Sequence, residues 1–158
     1  MNRVITGYDE NGNPAIIRQG EPPTVIQAGR YVTTELWVTG AVPLRATDSD
    51  TSTRAWELEP PPGGSCFRIV EIAPAGAADA AEAAGGQDAA TTGFQDAHAT
   101  DTLDYVTVLR GEVVLVVGES EITLGPGDSV VQQPGVPHDW QNRSAGRAVM
   151  VGVLLSAR

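Results

Sequence analysis

The chain contains two histidines, and both lie in one stretch, with His98 at its start and His138 near its end. Side chains alternate along an extended strand, so His98, Thr100 and Asp104 are expected on one face. The same alternation groups His138 with Trp140. Two imidazoles and a carboxylate that converge can hold a divalent metal ion and leave positions open for water or substrate. The stretch therefore predicts a polar or metal-binding cavity that receives a small-molecule substrate.

The chemistry of each side chain indicates its role. We predict His98 and His138 as metal ligands, and Asp104 either as a third ligand or as the catalytic acid or base. The candidate ions are Zn, Fe, Mn and Ni, and a metal-free cavity is the alternative. Three further side chains are predicted to contact the substrate: Thr100, Trp140 and Gln133. An imidazole that binds a metal through one nitrogen needs a partner for its other N–H, and the candidates are Asp101, Asp139 and Gln133.

Short apolar runs separated by turns must position these residues. Five strand candidates follow Asp104 in the sequence, at residues 105–109, 112–117, 121–124, 129–133 and 147–155. Strands at this spacing favour a sandwich or a barrel. The run VVLVV at Val113–Val117 is apolar on both faces, so its outer face needs cover from the N-terminal strands or from a second subunit. The second of these possibilities predicts a homodimer.

The first half of the chain supplies further strands. Residues 3–8 and 15–18 predict a hairpin, because Asn11 and Gly12 between them favour a tight turn. Residues 31–39 and 65–72 are strand candidates, and Cys66 in the second is expected to be a small buried side chain. We expect one domain over residues 1–158, with N-terminal strands in 1–64 that pack on the barrel or on a dimer partner. The barrel is expected to span residues 65–155 and to include a flexible loop at 73–97, either a surface insertion or a lid.

Composition excludes several classes of partner. Ten Lys and Arg residues against twenty Asp and Glu residues give a formal net charge of −10, which disfavours nucleic acids and anionic membranes. A single cysteine excludes an internal disulfide. The sequence has no apolar run of membrane-spanning length, and a cytoplasmic protein is the default expectation.

At these residues the chain resembles the cupin superfamily, whose first motif runs G-x5-H-x-H-x3,4-E-x6-G. His98 stands at the first histidine of that motif, Thr100 at the second, Asp104 at the glutamate and Gly111 at the closing glycine. The resemblance implies an all-β fold, a jelly-roll barrel also described as a double-stranded β-helix.

The second cupin motif runs G-x5-P-x-G-x2-H-x3-N. Gly127, Gly135, His138 and Asn142 fall in register with it, and Gln133 stands where proline is usual. The form of both motifs is similar to that of small bacterial proteins with a single cupin domain. In metal-binding cupins the ligands are typically three histidines and one glutamate, so the resemblance implies a site for a divalent metal in the barrel. It also implies a homodimer, because cupins commonly pair through their sheets.

Two substitutions reduce the ligand set that the resemblance implies. Thr100 replaces a histidine, and Asp104 is one methylene shorter than glutamate, which withdraws its carboxylate by about 1.5 Å. A metal–oxygen bond tolerates an error of only about 0.2 Å. We therefore expect a metal-dependent enzyme with a reduced ligand set and non-redox lyase or isomerase chemistry, such as decarboxylation, dehydration or cyclisation. The alternatives are an Fe(II) dioxygenase and a non-catalytic metabolite-binding protein.

Overall fold

A computed structural model describes residues 1–45, 50–75 and 97–158 of this chain. Eleven strands and no helix occur in these residues, so the all-β prediction is confirmed. The strands are β1 (Arg3–Tyr8), β2 (Pro14–Gly20), β3 (Thr24–Ala28), β4 (Tyr31–Thr39), β5 (Ser65–Ile72), β6 (Thr102–Arg110), β7 (Val113–Val117), β8 (Ser120–Leu124), β9 (Ser129–Gln132), β10 (Asp139–Gln141) and β11 (Ala148–Ser156). Within the described ranges there is no helix that could cross a membrane.

Two antiparallel sheets enclose the core. One has six strands in the order β3-β4-β5-β11-β6-β9, and the other has three in the order β10-β7-β8. Val108 and Met150 of the larger sheet pack in one cluster with Val113, Leu115 and Trp140 of the smaller sheet. Inward side chains of both sheets thus form a shared interior, as in a β-barrel.

Most predicted strands are present, and two were missed. The five candidates after Asp104 correspond to β6, β7, β8, β9 and β11, although β6 begins three residues earlier than predicted. The strands β3 and β10 were not predicted, because Pro22 and Pro23 precede β3 and β10 has only three residues. The flexible loop predicted at 73–97 lies mostly outside the described residues.

The predicted N-terminal hairpin is confirmed as a separate two-stranded sheet of β1 and β2. It lies against the six-stranded sheet, where the Arg3 guanidinium donates hydrogen bonds of 2.8 Å to the Leu36 carbonyl and to Asp50. On the other sheet, Val113 and Val114 point to opposite faces of β7, and both are buried within this one chain. The run at β7 therefore does not itself require a second subunit, and the homodimer stays a prediction.

Two small residues have the packing roles that their types suggest. Cys66 on β5 is buried, as predicted, and burial raises the pKa of its thiol. Gly111, in the turn between β6 and β7, has a φ of 74°. A Cβ at Gly111 would lie 2.7 Å from the carbonyl oxygen of Arg147. Only glycine fits this turn, which joins the two sheets beside the core.

Candidate functional site

The two histidines lie side by side because their backbones pair. His98 and His138 form an isolated antiparallel bridge, in which each N–H donates to the other's carbonyl at 3.0 and 2.9 Å. Their ring centroids are 4.6 Å apart and the rings are tilted by 55°. His98 precedes β6 of the larger sheet and His138 precedes β10 of the smaller one. The bridge therefore joins the two sheets at the point where both imidazoles are placed.

Strand alternation places the polar residues of β6 in the interior. Thr102 and Asp104 are buried, whereas Tyr105, which has the opposite parity, is 47% exposed. Thr100, just before the strand, is also buried, and its hydroxyl accepts a hydrogen bond of 2.8 Å from the Thr102 hydroxyl. The Thr100 O–H is thereby left available to donate to a ligand.

A cavity of about 70 Å³ inside the barrel brings most of the predicted site residues together. It is lined by His98, Thr100, Asp104, His138 and Trp140, together with Arg68 and apolar side chains. The indole of Trp140 lies edge-on to the His138 ring, with centroids 6.3 Å apart. The volume corresponds to about five water-sized groups, so the cavity suits a small molecule or one end of a larger one.

Gln133 is the predicted substrate contact that the structure does not bring to this cavity. Gln133 is exposed, and the buried side chain is its neighbour Gln132, which lies opposite Asp104 in the pairing of β9 with β6. Because side chains alternate along a strand, neighbouring residues point to opposite faces, and only one of the two glutamines can face the interior.

The carboxyl group of Asp104 is buried and only partly satisfied. Its Oδ1 atom has no hydrogen-bond partner among the described residues. Burial raises the pKa of Asp104, and the neighbouring Thr102 side chain and His138 ring oppose this effect. A buried carboxyl group with a raised pKa can donate or accept a proton close to neutral pH more readily than an exposed one.

The His138 ring is oriented by a backbone carbonyl. Its Nδ1 atom lies 2.9 Å from the carbonyl oxygen of Val136. A carbonyl can only accept, so Nδ1 carries a proton, and in the neutral ring Nε2 presents a lone pair. None of the predicted partners, Asp101, Asp139 or Gln133, has this role for His138. The orienting group comes from the backbone two residues earlier, which side-chain chemistry does not reveal.

The two histidines are of a residue type that binds metal ions, but the cavity brings together two such ligands rather than three. His138 has a free ring nitrogen and a second imidazole beside it, and neutral imidazoles bind Zn, Fe and Ni. In residues 1–45, 50–75 and 97–158, no group of three His, Cys, Asp or Glu side chains is placed to hold an ion. The two histidines are therefore the candidate ligands. Asp104 lines the same cavity, and its role, as a third ligand or as an acid or base, stays a prediction.

A buried ion pair completes the site, and sequence reasoning missed it. The Arg68 Nε atom lies 2.7 Å from Glu35 Oε1, and the two side chains are only 2% and 3% exposed. Burial raises the pKa of Glu35, and the Arg68 charge opposes this effect. The available signal was the alternation of β5, in which Arg68 shares the buried parity of Cys66 and Ile72.

A larger groove lies outside the barrel. It measures about 520 Å³ and runs between the β1–β2 hairpin and the strands β4 and β5. The described residues that line it include no carboxyl group and no imidazole. The barrel cavity, which is smaller but contains acid, base and cation, is therefore the candidate site for chemistry.

Comparisons with known proteins agree with this architecture. Residues 86–154 match the family described as Cupin domain. Two proteins of Diaporthe leptostromiformis, named phomopsin biosynthesis cluster protein C' and protein D, are each 35% identical over 164 residues, covering 95% of this chain and 76% of theirs. The Neurospora crassa protein named cupin-domain-containing oxidoreductase srdB is 26% identical, over 90% of this chain and 66% of its own length.

The fold is also found among solved structures. The polyketide cyclase RemF from Streptomyces resistomycificus superposes with a TM-score of 0.52 at 15% identity, over 85% of this chain and 74% of RemF. At that identity the likeness concerns the fold, which is the jelly-roll barrel expected from the two motifs.

Proposed function

We propose a function from one premise: this chain belongs to the cupin superfamily. It is proposed to be an enzyme that holds a divalent metal ion with His98 and His138 and acts on a small organic molecule by non-redox lyase or isomerase chemistry. The observation that carries the proposal is the convergence of two adjacent imidazoles, the Asp104 carboxyl group and the Arg68 guanidinium on one buried cavity.

The division of labour follows from the chemistry of the residues. When bound, the metal supplies a Lewis acid that polarises a carbonyl or enolate oxygen of the substrate. Asp104 transfers a proton at its Oδ1 atom, which is buried and unpartnered among the described residues. The Thr100 hydroxyl donates a hydrogen bond that positions the substrate. Trp140 excludes water from the apolar side of the cavity.

The similar proteins support small-molecule chemistry. The names of the two Diaporthe leptostromiformis proteins refer to a biosynthesis cluster, and RemF is described as a polyketide cyclase. A proton-transfer enzyme that modifies a biosynthetic intermediate agrees with these names and with the size of the cavity.

Metal analysis tests the proposal. The purified protein is incubated separately with Zn, Mn, Ni and anaerobic Fe(II), desalted, and analysed by mass spectrometry of the elements. We expect about one ion per chain in the wild type and in Asp104→Asn, and loss of the ion in the double variant His98→Ala/His138→Ala. Asp101→Asn is a matched control, because Asp101 is an exposed carboxyl group near the same strand.

Two results would contradict this assignment. If the wild type retains none of the four ions, the proposal that this protein binds a divalent metal is wrong. If the double histidine variant retains its ion, His98 and His138 are not the metal ligands. If Asp104→Asn alone loses the ion, Asp104 is a ligand and not the proton-transferring group.

A second candidate is an Fe(II) dioxygenase. It is favoured by the Neurospora crassa relative, whose name describes an oxidoreductase, and the same two histidines leave positions open for O₂ and substrate. The two candidates differ in oxygen consumption. Iron-loaded protein that consumes O₂ only when a substrate is present would favour the dioxygenase. Turnover under strict anaerobiosis would favour the lyase or isomerase.

A further inference from the structure

We propose that Arg68 binds a carboxylate group of the substrate, in the space that Gly152 leaves open in the barrel cavity. The substrates are then small carboxylic acids or molecules with a carboxylate at the reacting end. It deepens the function proposed above, on which its catalytic meaning rests.

The hydrogen bonds of Arg68 are incomplete on one side. Its Nη1 atom donates to the Leu58 carbonyl at 2.8 Å, and its Nε atom pairs with Glu35. The third nitrogen, Nη2, is buried and has no hydrogen-bond partner among the described residues. A buried N–H of a cation without an acceptor is costly, and a guanidinium matches the planar geometry of a carboxylate.

Gly152 provides room beside this guanidinium. It is the direct pairing partner of Arg68 between β11 and β5, and it lines the cavity between Met150 and Leu154, which share its parity. A Cβ at Gly152 would lie 3.6 Å from the nearest atom of Leu154, an ordinary contact. The backbone does not demand glycine here, so the missing side chain matters for the open space rather than for the fold.

The charges and the volume favour an anion of small size. Burial raises the pKa of Glu35, so the carboxyl group that pairs with Arg68 is protonated more readily than an exposed one. Its negative charge then opposes a bound anion less. A cavity of about 70 Å³ accommodates a carboxylate and a few further atoms, at about 10–15 Å³ for each water-sized group.

Acetate tests the inference, with acetamide as its uncharged counterpart of the same shape. The binding of each is followed by NMR through the ¹⁵N signal of the Arg68 Nε–H group and of the tryptophan indoles. We expect acetate to shift the Arg68 signal with saturation and acetamide to leave it in place.

Variants assign the binding to this site. Removal of the charge in the double variant Arg68→Met/Glu35→Leu, which takes away both members of the pair, is expected to weaken acetate binding about 30-fold, the loss of one charge-assisted hydrogen bond. Gly152→Ala is expected to weaken it by filling the space. Arg143→Met, which removes a half-exposed arginine paired with Glu121, is the matched control and should change nothing.

The inference is overturned if acetamide binds as well as acetate, or if Gly152→Ala and the double variant bind acetate like the wild type. If circular dichroism shows that the double variant is unfolded, the Gly152→Ala variant and the comparison with acetamide decide whether Arg68 binds the carboxylate. The experiment is run with chelated and with metal-loaded protein. If acetate binding depends on Arg68 but the protein never takes up metal, this inference stands and the proposed function is refuted. If the protein takes up metal but acetate binding does not depend on Arg68, the proposed function stands and this inference is refuted.

Discussion

Removing the arginine of the buried ion pair should destabilise the fold by an amount that depends strongly on pH. In Arg68→Met, the Glu35 carboxyl group stays 3% exposed but loses its cation. A buried carboxylate without a partner takes up a proton rather than stay charged. The stability that the variant loses by burying Glu35 is therefore no larger than the free energy needed to protonate this carboxyl group.

The magnitude follows from the distance between the pH and the ordinary pKa of Glu35, which is 4.5. Protonation at pH 7 costs about 3.4 kcal/mol, at about 1.36 kcal/mol per pH unit. At pH 5 the cost falls to about 0.8 kcal/mol. Because the folded-state pKa is raised, the stability is highest below the unfolded pKa and is lost as the pH rises. The free energy of unfolding of Arg68→Met should therefore fall by about 2.6 kcal/mol between pH 5 and pH 7.

Urea unfolding of two variants at both pH values measures this loss. The reference is Arg68→Met/Glu35→Leu, which lacks both charged groups and whose apolar replacement is expected to be close to neutral. Subtracting its pH dependence leaves the contribution of Glu35. If Arg68→Met follows the same pH dependence as the double variant, Glu35 has reached solvent or another cation, and the assignment of a sealed ion pair is wrong.

Three further outcomes test the fold around the site. Gly111→Ala should cost more free energy of unfolding than Gly118→Ala: both glycines have positive φ, which costs about 1–2 kcal/mol with a side chain, but only at Gly111 does a Cβ meet backbone within 3 Å. Asn142→Ala should cost about 2–3 kcal/mol in urea unfolding, because its buried amide donates to two backbone carbonyls at 2.8 and 2.7 Å. Burial raises the pKa of Asp50, but hydrogen bonds from Ser52 and the Arg3 charge outweigh this and hold it below 3.8, so the wild type should lose stability relative to Asp50→Asn as the pH falls through that range.

Local patterns were sufficient for the strands and for the faces of the strands. The turn at Asn11 and Gly12 predicted the hairpin, and the two-residue period predicted that Thr100 and Asp104 share one face. These features depend on residues close in sequence, whose turn propensity and alternation can be read directly. The same reasoning missed β3, which follows a pair of prolines, and the three-residue strand β10.

The motif spacing indicated the family, but it did not reveal the whole site. Arg68 and Glu35 belong to no motif, and they contact each other because the pairing of β4 with β5 places them directly opposite each other. Side-chain chemistry suggested Asp101, Asp139 or Gln133 as the partner of a histidine, whereas His138 is held by the Val136 carbonyl. Backbone groups are the same at every residue, so sequence cannot show which one will be used.

The sequence by itself determined an all-β chain with two histidines at matching motif positions and a polar strand face beginning at His98. Only the tertiary structure decided that His98 and His138 pair directly, and that Asp104 and Arg68 line the same cavity as the two histidines. The physical reason is how far apart in the sequence the interacting residues lie. Turns and alternation depend on neighbours in the chain, whereas the contents of a barrel depend on the register between strands that are tens of residues apart.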